Sequence, residues 1–315
     1  MRSGAASLRV SVTERCDLGC RYCRTGLERQ AADRTLPALS RLVVAISWAV
    51  RRLGVTRVKV TGGEPLLRPG LVEFVRQVSS GPGVPEVSMT TNGTRLAGLA
   101  ADLAKAGLSR VNVSLDTLDP VRFRELTRGG SLERVTEGID AAVAAGLAPV
   151  KLNAVLRRGS FEADVPALLA YASERGLEVR FIELMRTGPA AAFAEGEFVS
   201  SREVRERLGL GGALEPAGTA AGPARRLRIR FSGRDVATGW IEPVSRSFCG
   251  GCRRLRLDLR GDLRRCLMDP EPFSLLDRLE AGEDAGLEEH VDRFLEGKRP
   301  PLSFETPRSM AAIGG

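Results

Sequence analysis

Short runs with alternating or continuous apolar character recur through the first 185 residues of the chain. They are "LRVSVT" (8–13), "RVKVT" (57–61), "EVSMTT" (86–91), "RVNVSLD" (110–116), "VKLNAVL" (150–156) and "EVRFIEL" (178–184). Their β-branched content and length predict strands. Helical periodicity fills the gaps. The clearest stripe is Leu39, Leu42, Val43, Ile46, Ala49, Val50 and Leu53, ending at Gly54. Further helical patterns lie near 71–78, 95–106, 131–145 and 164–175, several of them ending in Gly. Strand–helix alternation of this kind predicts a parallel sheet covered by helices. A closed barrel needs eight such units. Six predict an α/β fold with a partial, TIM-like (β/α)6 barrel, closed by something else.

That closing element is expected at the C-terminus. Residues 209–224, "GLGGALEPAGTAAGPA", read as a Gly/Ala/Pro-rich linker. Beyond it the pattern becomes β-rich near 225–231, 235–241 and 253–260, and then helical. The expected organisation is therefore a barrel over 1–208, the linker, and a smaller β-containing domain over 225–315. Polar residues interrupt the first region where its strands end: the "RCDLGCRYC" loop, "TGGEP", "TTNG", "SLD" and "IELM". Loops at the C-terminal ends of barrel strands converge on one mouth, so a site is expected there.

Composition narrows the function classes. No stretch is long and apolar enough to predict a membrane span, and the first ten residues lack the apolar core of a signal peptide. A cytoplasmic protein is expected. The 47 Lys+Arg against 39 Asp+Glu give a formal net charge of +8. A solvated basic surface and a polyanionic ligand both account for that excess. Nucleic-acid binding is not expected, because the arginines are spread along the chain and aromatics are only 5%.

The six cysteines divide into two triads with none left over: Cys16, Cys20 and Cys23, then Cys249, Cys252 and Cys266. Disulfides fit a cytoplasmic chain poorly. Two four-ligand zinc sites would need carboxylate or water ligands, since the chain has one histidine, His290. Thiolates also hold iron–sulfur clusters, where three ligands leave one iron open to a small molecule. The C-x3-C-x2-C spacing favours iron–sulfur strongly. The C-x2-C-x13-C spacing is more zinc-like by itself.

The first spacing, with Tyr22 before its last cysteine, resembles the signature of the radical S-adenosylmethionine superfamily. The likeness extends to the MoaA-type GTP 3′,8-cyclases of molybdenum cofactor biosynthesis through "LRVSVTERC", "VTGGEPLLRPG", "VNVSLDTLDP", "VKLNAVLRRG", "RFIELM", "FCGGC" and the terminal "MAAIGG". The resemblance implies two [4Fe-4S] clusters, one on each triad, with S-adenosyl-L-methionine bound at the first. It implies cofactor contacts from Tyr22, Gly62, Gly63, Glu64, Thr90, Ser114 and Met185, with the glycines allowing close approach and Glu64 accepting from an ammonium. A cationic set, Arg9, Arg57, Lys59, Lys151 and Arg180, would hold the triphosphate of GTP. Arg254 and Arg256, alternating on one segment, would lie near the guanine at the second cluster, and Gly314 and Gly315 would thread into the site. The implied reaction is abstraction of the ribose 3′ hydrogen by a 5′-deoxyadenosyl radical, joining of C3′ to guanine C8, and a final reduction. An external electron donor and a downstream pterin-forming enzyme are implied partners, and the chain is expected to be a monomer or homodimer.

Some positions depart from the family pattern. Arg24 follows Cys23 where Met is common, Lys59 stands where Arg is usual, and Arg253 replaces a common Asn. Two alternatives remain open from sequence: a paralogue of the same architecture acting on another nucleotide or a peptide, and a non-enzymatic zinc-binding module.

Overall fold

The computed structural model describes residues 7–23, 36–83, 86–187, 191–211, 222–283 and 286–301. Six parallel strands form its centre: β1 (Ser7–Ser11), β2 (Arg57–Thr61), β3 (Glu86–Thr91), β4 (Arg110–Ser114), β5 (Lys151–Leu156) and β6 (Glu178–Glu183). The expected strands are all present within a residue or two. Helices α1 (Leu39–Leu53), α2 (Leu71–Ser79), α3 (Ala100–Lys105), α4 (Pro120–Thr127), α5 (Leu132–Ala144) and α6 (Phe161–Arg175) connect them. The pattern missed α4, whose start is set by Asp119: its carboxylate accepts from the backbone amides of Val121 and Arg122, and Pro120 opens the first turn. The helix expected over 95–106 is shorter, beginning at Ala100 after a series of turns. Gly54 ends α1 at φ 64°, a left-handed cap that suits glycine.

The chain then adds α7 (Ala191–Glu197), α8 (Ser201–Arg207), β7 (Arg225–Phe231), β8 (Arg234–Ile241), β9 (Arg254–Leu257), β10 (Leu263–Arg264), α9 (Leu275–Glu280) and α10 (Leu287–Glu296). These late strands join the same sheet at both edges. Its order is β10-β9-β1-β2-β3-β4-β5-β6-β8-β7. β9 runs parallel to β1, with Ser7 opposite Arg254 and Arg9 opposite Arg256, while β8 runs parallel to β6. The sheet is open, as the count of six units predicts. Residues 212–221 of the expected linker lie outside the described residues.

Strand alternation decides what each face carries. Leu8, Val10, Val58, Val60, Val111, Val113, Leu152, Val179 and Phe181 are all fully buried. They belong to the continuous core that includes α1, α2, α5 and α6. Each such burial stabilises by roughly 1.5–3 kcal/mol. Their neighbours in sequence, including Arg9, Lys59, Asn112 and Arg180, line the opposite face and a cavity of about 550 Å³. None of the described helices is long and apolar enough to cross a membrane.

Candidate active site

All six cysteines line that one cavity. The first triad follows β1 and therefore sits at the C-terminal end of the strands. Its loop is anchored from several sides. Gly19 and Arg21 donate from their backbone amides to the carbonyls of Thr127 (2.9 Å) and Leu126 (3.0 Å). The Asn92 amide donates to Asp17 Oδ1 at 2.7 Å and lies 3.7 Å from Cys16 Sγ. The Thr94 hydroxyl donates to Asp17 Oδ2 at 2.7 Å. Tyr22 donates its phenol proton to Asp116 Oδ2 at 2.7 Å, and the same carboxylate accepts from Val155 N at 2.7 Å. Burial, then the Asp116 charge and the other two thiols, push the Cys20 thiol well up from its ordinary value. A metal-bound thiolate would need the compensating positive charge of its iron.

The glycines of "TGGEP" permit a close approach within the chain itself. A Cβ on Gly62 would stand 2.5 Å from the Thr13 carbonyl oxygen, and one on Gly63 would stand 2.5 Å from that of Glu14. Gly63 N and Glu64 N donate to Thr13 O and Arg15 O, each at 2.7 Å. The close approach is thus to the segment entering the cysteine loop, while both glycines also face the cavity. Glu64, expected to accept from an ammonium, lies behind the cavity wall. The side chain is fully buried and is absent from the cavity wall. Its carboxylate accepts from Leu66 N (3.0 Å), Thr91 Oγ1 (2.7 Å) and Asn92 N (2.6 Å). Burial raises its pKa to about 7 against those three donors. Glu64 positions the loops around the first triad. Thr90, Ser114, Met185 and Tyr22 line the cavity.

The cationic set does not sit at the C-terminal strand ends. Arg57 and Lys151 open β2 and β5, and Arg9, Lys59 and Arg180 occupy the third positions of their strands. Alternation points these residues inward below the cysteine loop. Arg110, the first residue of β4, joins them, and was not singled out from sequence. Burial, then Arg256 and Arg254, hold the Arg9 pKa well below its ordinary value. Burial, then Arg9 and Arg180, do the same for Lys59. Glu178 divides its carboxylate between Lys151 and Arg180, the latter at 2.8 Å. Burial would raise Glu178, but Arg180 and Lys151 outweigh it and lower its pKa. Desolvated, mutually repelling cations of this kind favour a polyanion.

The second triad lies at the other end of the strands. Cys252 precedes β9, whose first residue pairs with the first residue of β1. Cys266 follows β10, which returns antiparallel so that Arg264 faces Arg256. β1 alone rises about 17 Å, so the triads face each other across the length of the cavity. Arg254 Nε donates to Cys252 Sγ at 3.4 Å, and the guanidinium stacks 4.9 Å from the Phe248 ring centroid. Burial raises the Cys252 pKa, but Arg254 and Lys298 outweigh it and bring it to about 7, which favours a thiolate ligand. Arg254 and Arg256 both line the cavity, as their alternation predicts. Burial and the Arg254 charge lower Arg256 to about 9. Lys298, Arg265 and Arg226 add further cations that the sequence pattern did not single out.

Among the described residues no three His, Cys, Asp or Glu side chains converge as one metal ion requires. A cuboidal cluster takes one thiolate per iron and so accepts more widely spaced sulfurs. The three thiols of each triad all line the cavity. Gly314, Gly315 and Arg24 lie outside the described residues.

Comparison with known proteins places this geometry. Residues 10–172 match the radical SAM superfamily model and residues 177–304 match the Molybdenum Cofactor Synthesis C model. A relative from Pelotomaculum thermopropionicum named GTP 3′,8-cyclase is 41% identical, covering 98% of this chain and 97% of the relative. GTP 3′,8-cyclase 1 of Pseudomonas aeruginosa is 45% identical over 82% of this chain and 79% of its own length. In fold, the chain resembles Streptococcus suis SuiB with a TM-score of 0.60 at 18% identity, covering 93% of this chain and 68% of that one. With both family models matched in tandem and relatives aligned over nearly its whole length, the chain belongs to the radical SAM superfamily and, within it, to the GTP 3′,8-cyclase family.

Proposed function

We propose that the chain converts GTP to (8S)-3′,8-cyclo-7,8-dihydroguanosine 5′-triphosphate in the cytoplasm, as the first step of molybdenum cofactor biosynthesis. The observation that carries this reading is one cavity with a thiol triad at each end and inward-facing cations between them. Cys16, Cys20 and Cys23 would hold the [4Fe-4S] cluster typical of the superfamily, with S-adenosylmethionine beside Thr90, Ser114 and Met185. When bound, that pair would supply a 5′-deoxyadenosyl radical able to take the ribose 3′ hydrogen. Cys249, Cys252 and Cys266 would hold a second cluster.

The chain's own residues bind, orient and shield. Arg9, Arg57, Lys59, Lys151 and Arg180 grip the triphosphate, each charge-assisted contact adding about 1.5–3 kcal/mol. A nucleoside or monophosphate would leave most of these cations unpaired. Arg254 and Arg256 place positive charge beside the base as its electrons rearrange, and act by electrostatic stabilisation. The Arg256 guanidinium, lowered to about 9, still carries its proton at neutral pH. Gly314 and Gly315 are proposed to reach into the site from the C-terminus. An external reductant supplies electrons, and a separate pterin-forming enzyme takes the product.

The test is anaerobic incubation of reconstituted protein with S-adenosylmethionine, dithionite and GTP deuterated at C3′. Deuterium in 5′-deoxyadenosine together with an isomer of GTP is the expected result. Unlabelled 5′-deoxyadenosine with unchanged GTP would overturn the substrate assignment.

A further inference from the structure

The cavity wall between the two triads carries two asparagines, Asn112 and Asn153, that neither the cofactor contacts nor the phosphate grip uses. Along the strand ladder Thr90 pairs with Asn112, and Asn112 with Lys151. One pleat further on, Ser114 pairs with Asn153, and Asn153 with Arg180. Each asparagine therefore stands between a hydroxyl residue proposed to meet the cofactor and a cation proposed to meet the phosphates. Asn112 is 2% exposed and lines the cavity. Its Oδ1 has no hydrogen-bond partner among the described residues. A buried amide oxygen in that condition calls for a donor from whatever fills the cavity.

The donor follows from position, on the reading that the substrate is GTP. With the triphosphate held at Lys151 and the reacting carbon turned towards the cofactor, the part of the nucleotide level with Asn112 is its sugar. The sugar's donors are hydroxyl groups, and the 2′-hydroxyl neighbours the reacting carbon without belonging to it. We propose that Asn112 is a specificity-determining residue whose Oδ1 accepts a hydrogen bond from the 2′-hydroxyl of the substrate nucleotide, selecting ribonucleotide over 2′-deoxyribonucleotide. A site built around a hydroxyl rejects an analogue lacking it, because its own polar group is then left unpaired. S-adenosylmethionine carries a ribose of the same chemistry. The pairing of Asn112 with Lys151 favours the nucleotide's sugar.

The test is equilibrium binding of GTP, 2′-deoxy-GTP and S-adenosylmethionine to the anaerobically reconstituted full chain, as wild type, Asn112→Ala and Asn112→Asp. The wild type is expected to prefer GTP over 2′-deoxy-GTP by about tenfold. Asn112→Ala should weaken GTP by about the same factor while leaving 2′-deoxy-GTP and S-adenosylmethionine unchanged. Asn112→Asp keeps an acceptor of the same shape, so it should weaken both nucleotides through its charge yet retain the preference. A wild type without preference, or an alanine variant that loses both nucleotides equally, would overturn the role. Loss of S-adenosylmethionine affinity alone would overturn it in favour of the cofactor's ribose. A wild type that binds 2′-deoxy-GTP and GTP not at all would instead overturn the proposed substrate.

Discussion

Replacing Glu64 by glutamine separates a positioning carboxylate from one that meets the cofactor. In the folded chain this carboxyl titrates at about 7 because burial disfavours its charge, against an ordinary value of 4.5. The folded state therefore binds more protons than the unfolded state between those values. Its stabilising contribution is full below pH 4.5 and is lost as pH rises through about 7. From near pH 5 to about pH 8 the loss amounts to about 2.5 kcal/mol. For a chain of this length the unfolding entropy converts that to about 4 °C in melting temperature. Glutamine does not titrate, so this slope should vanish from the variant. It also cannot accept all three donors: with one oxygen and one NH2, either Asn92 N or Leu66 N is left without an acceptor, costing about 1–3 kcal/mol. The assay is thermal unfolding of both proteins across this pH range, reading the difference between them. The wild type should lose about 4 °C relative to the variant between about pH 5 and pH 8. A difference that stays constant with pH would refute the reasoning.

Three further outcomes are expected. GTP affinity should fall as pH rises above neutrality, because Lys59 has a lowered pKa that a bound polyanion must raise again; Lys59→Arg should flatten that profile in a binding titration across pH. Cys266→Ser should remove the second cluster, halving bound iron by chemical analysis while reductive cleavage of S-adenosylmethionine continues without cyclised product. Glu183→Ala should lower the melting temperature by at least about 5 °C. It strips the acceptor from the backbone amides of Ser201, Val244 and Ser245 at a buried position, each worth about 1–3 kcal/mol.

The strands and the thiol triads were legible because both are local. Period-two runs such as "RVKVT" announce their own strands, and two sets of three cysteines divide by spacing alone. The level of the cations was not legible in the same way. Lys59 and Thr61 share an inward face, but only the ladder reveals that Lys59 lies beside Arg9 and beneath the cysteine loop. The partners of Glu64 were hidden for a related reason. Its motif says that a carboxylate follows two glycines, whereas its partners Thr91 and Asn92 come from the next strand's end. The second triad's place opposite the first depends on β9 pairing with β1, a contact between the two ends of the chain. No local pattern carries that pairing.

The same pairing bears on how the molecule is made. During synthesis β1 and β6 emerge early, and the strands that cover them, β9 and β8, come from the last part of the chain. Until then the nascent sheet has bare edges on both sides, open to pairing with other chains. Closure must also wait for contacts between distant segments, which slows folding. A fragment ending at residue 208 would keep that condition permanently, as a sheet with neither edge capped. The late strands therefore act in biogenesis as well as in chemistry, protecting the early sheet from aggregation while completing the second thiol triad.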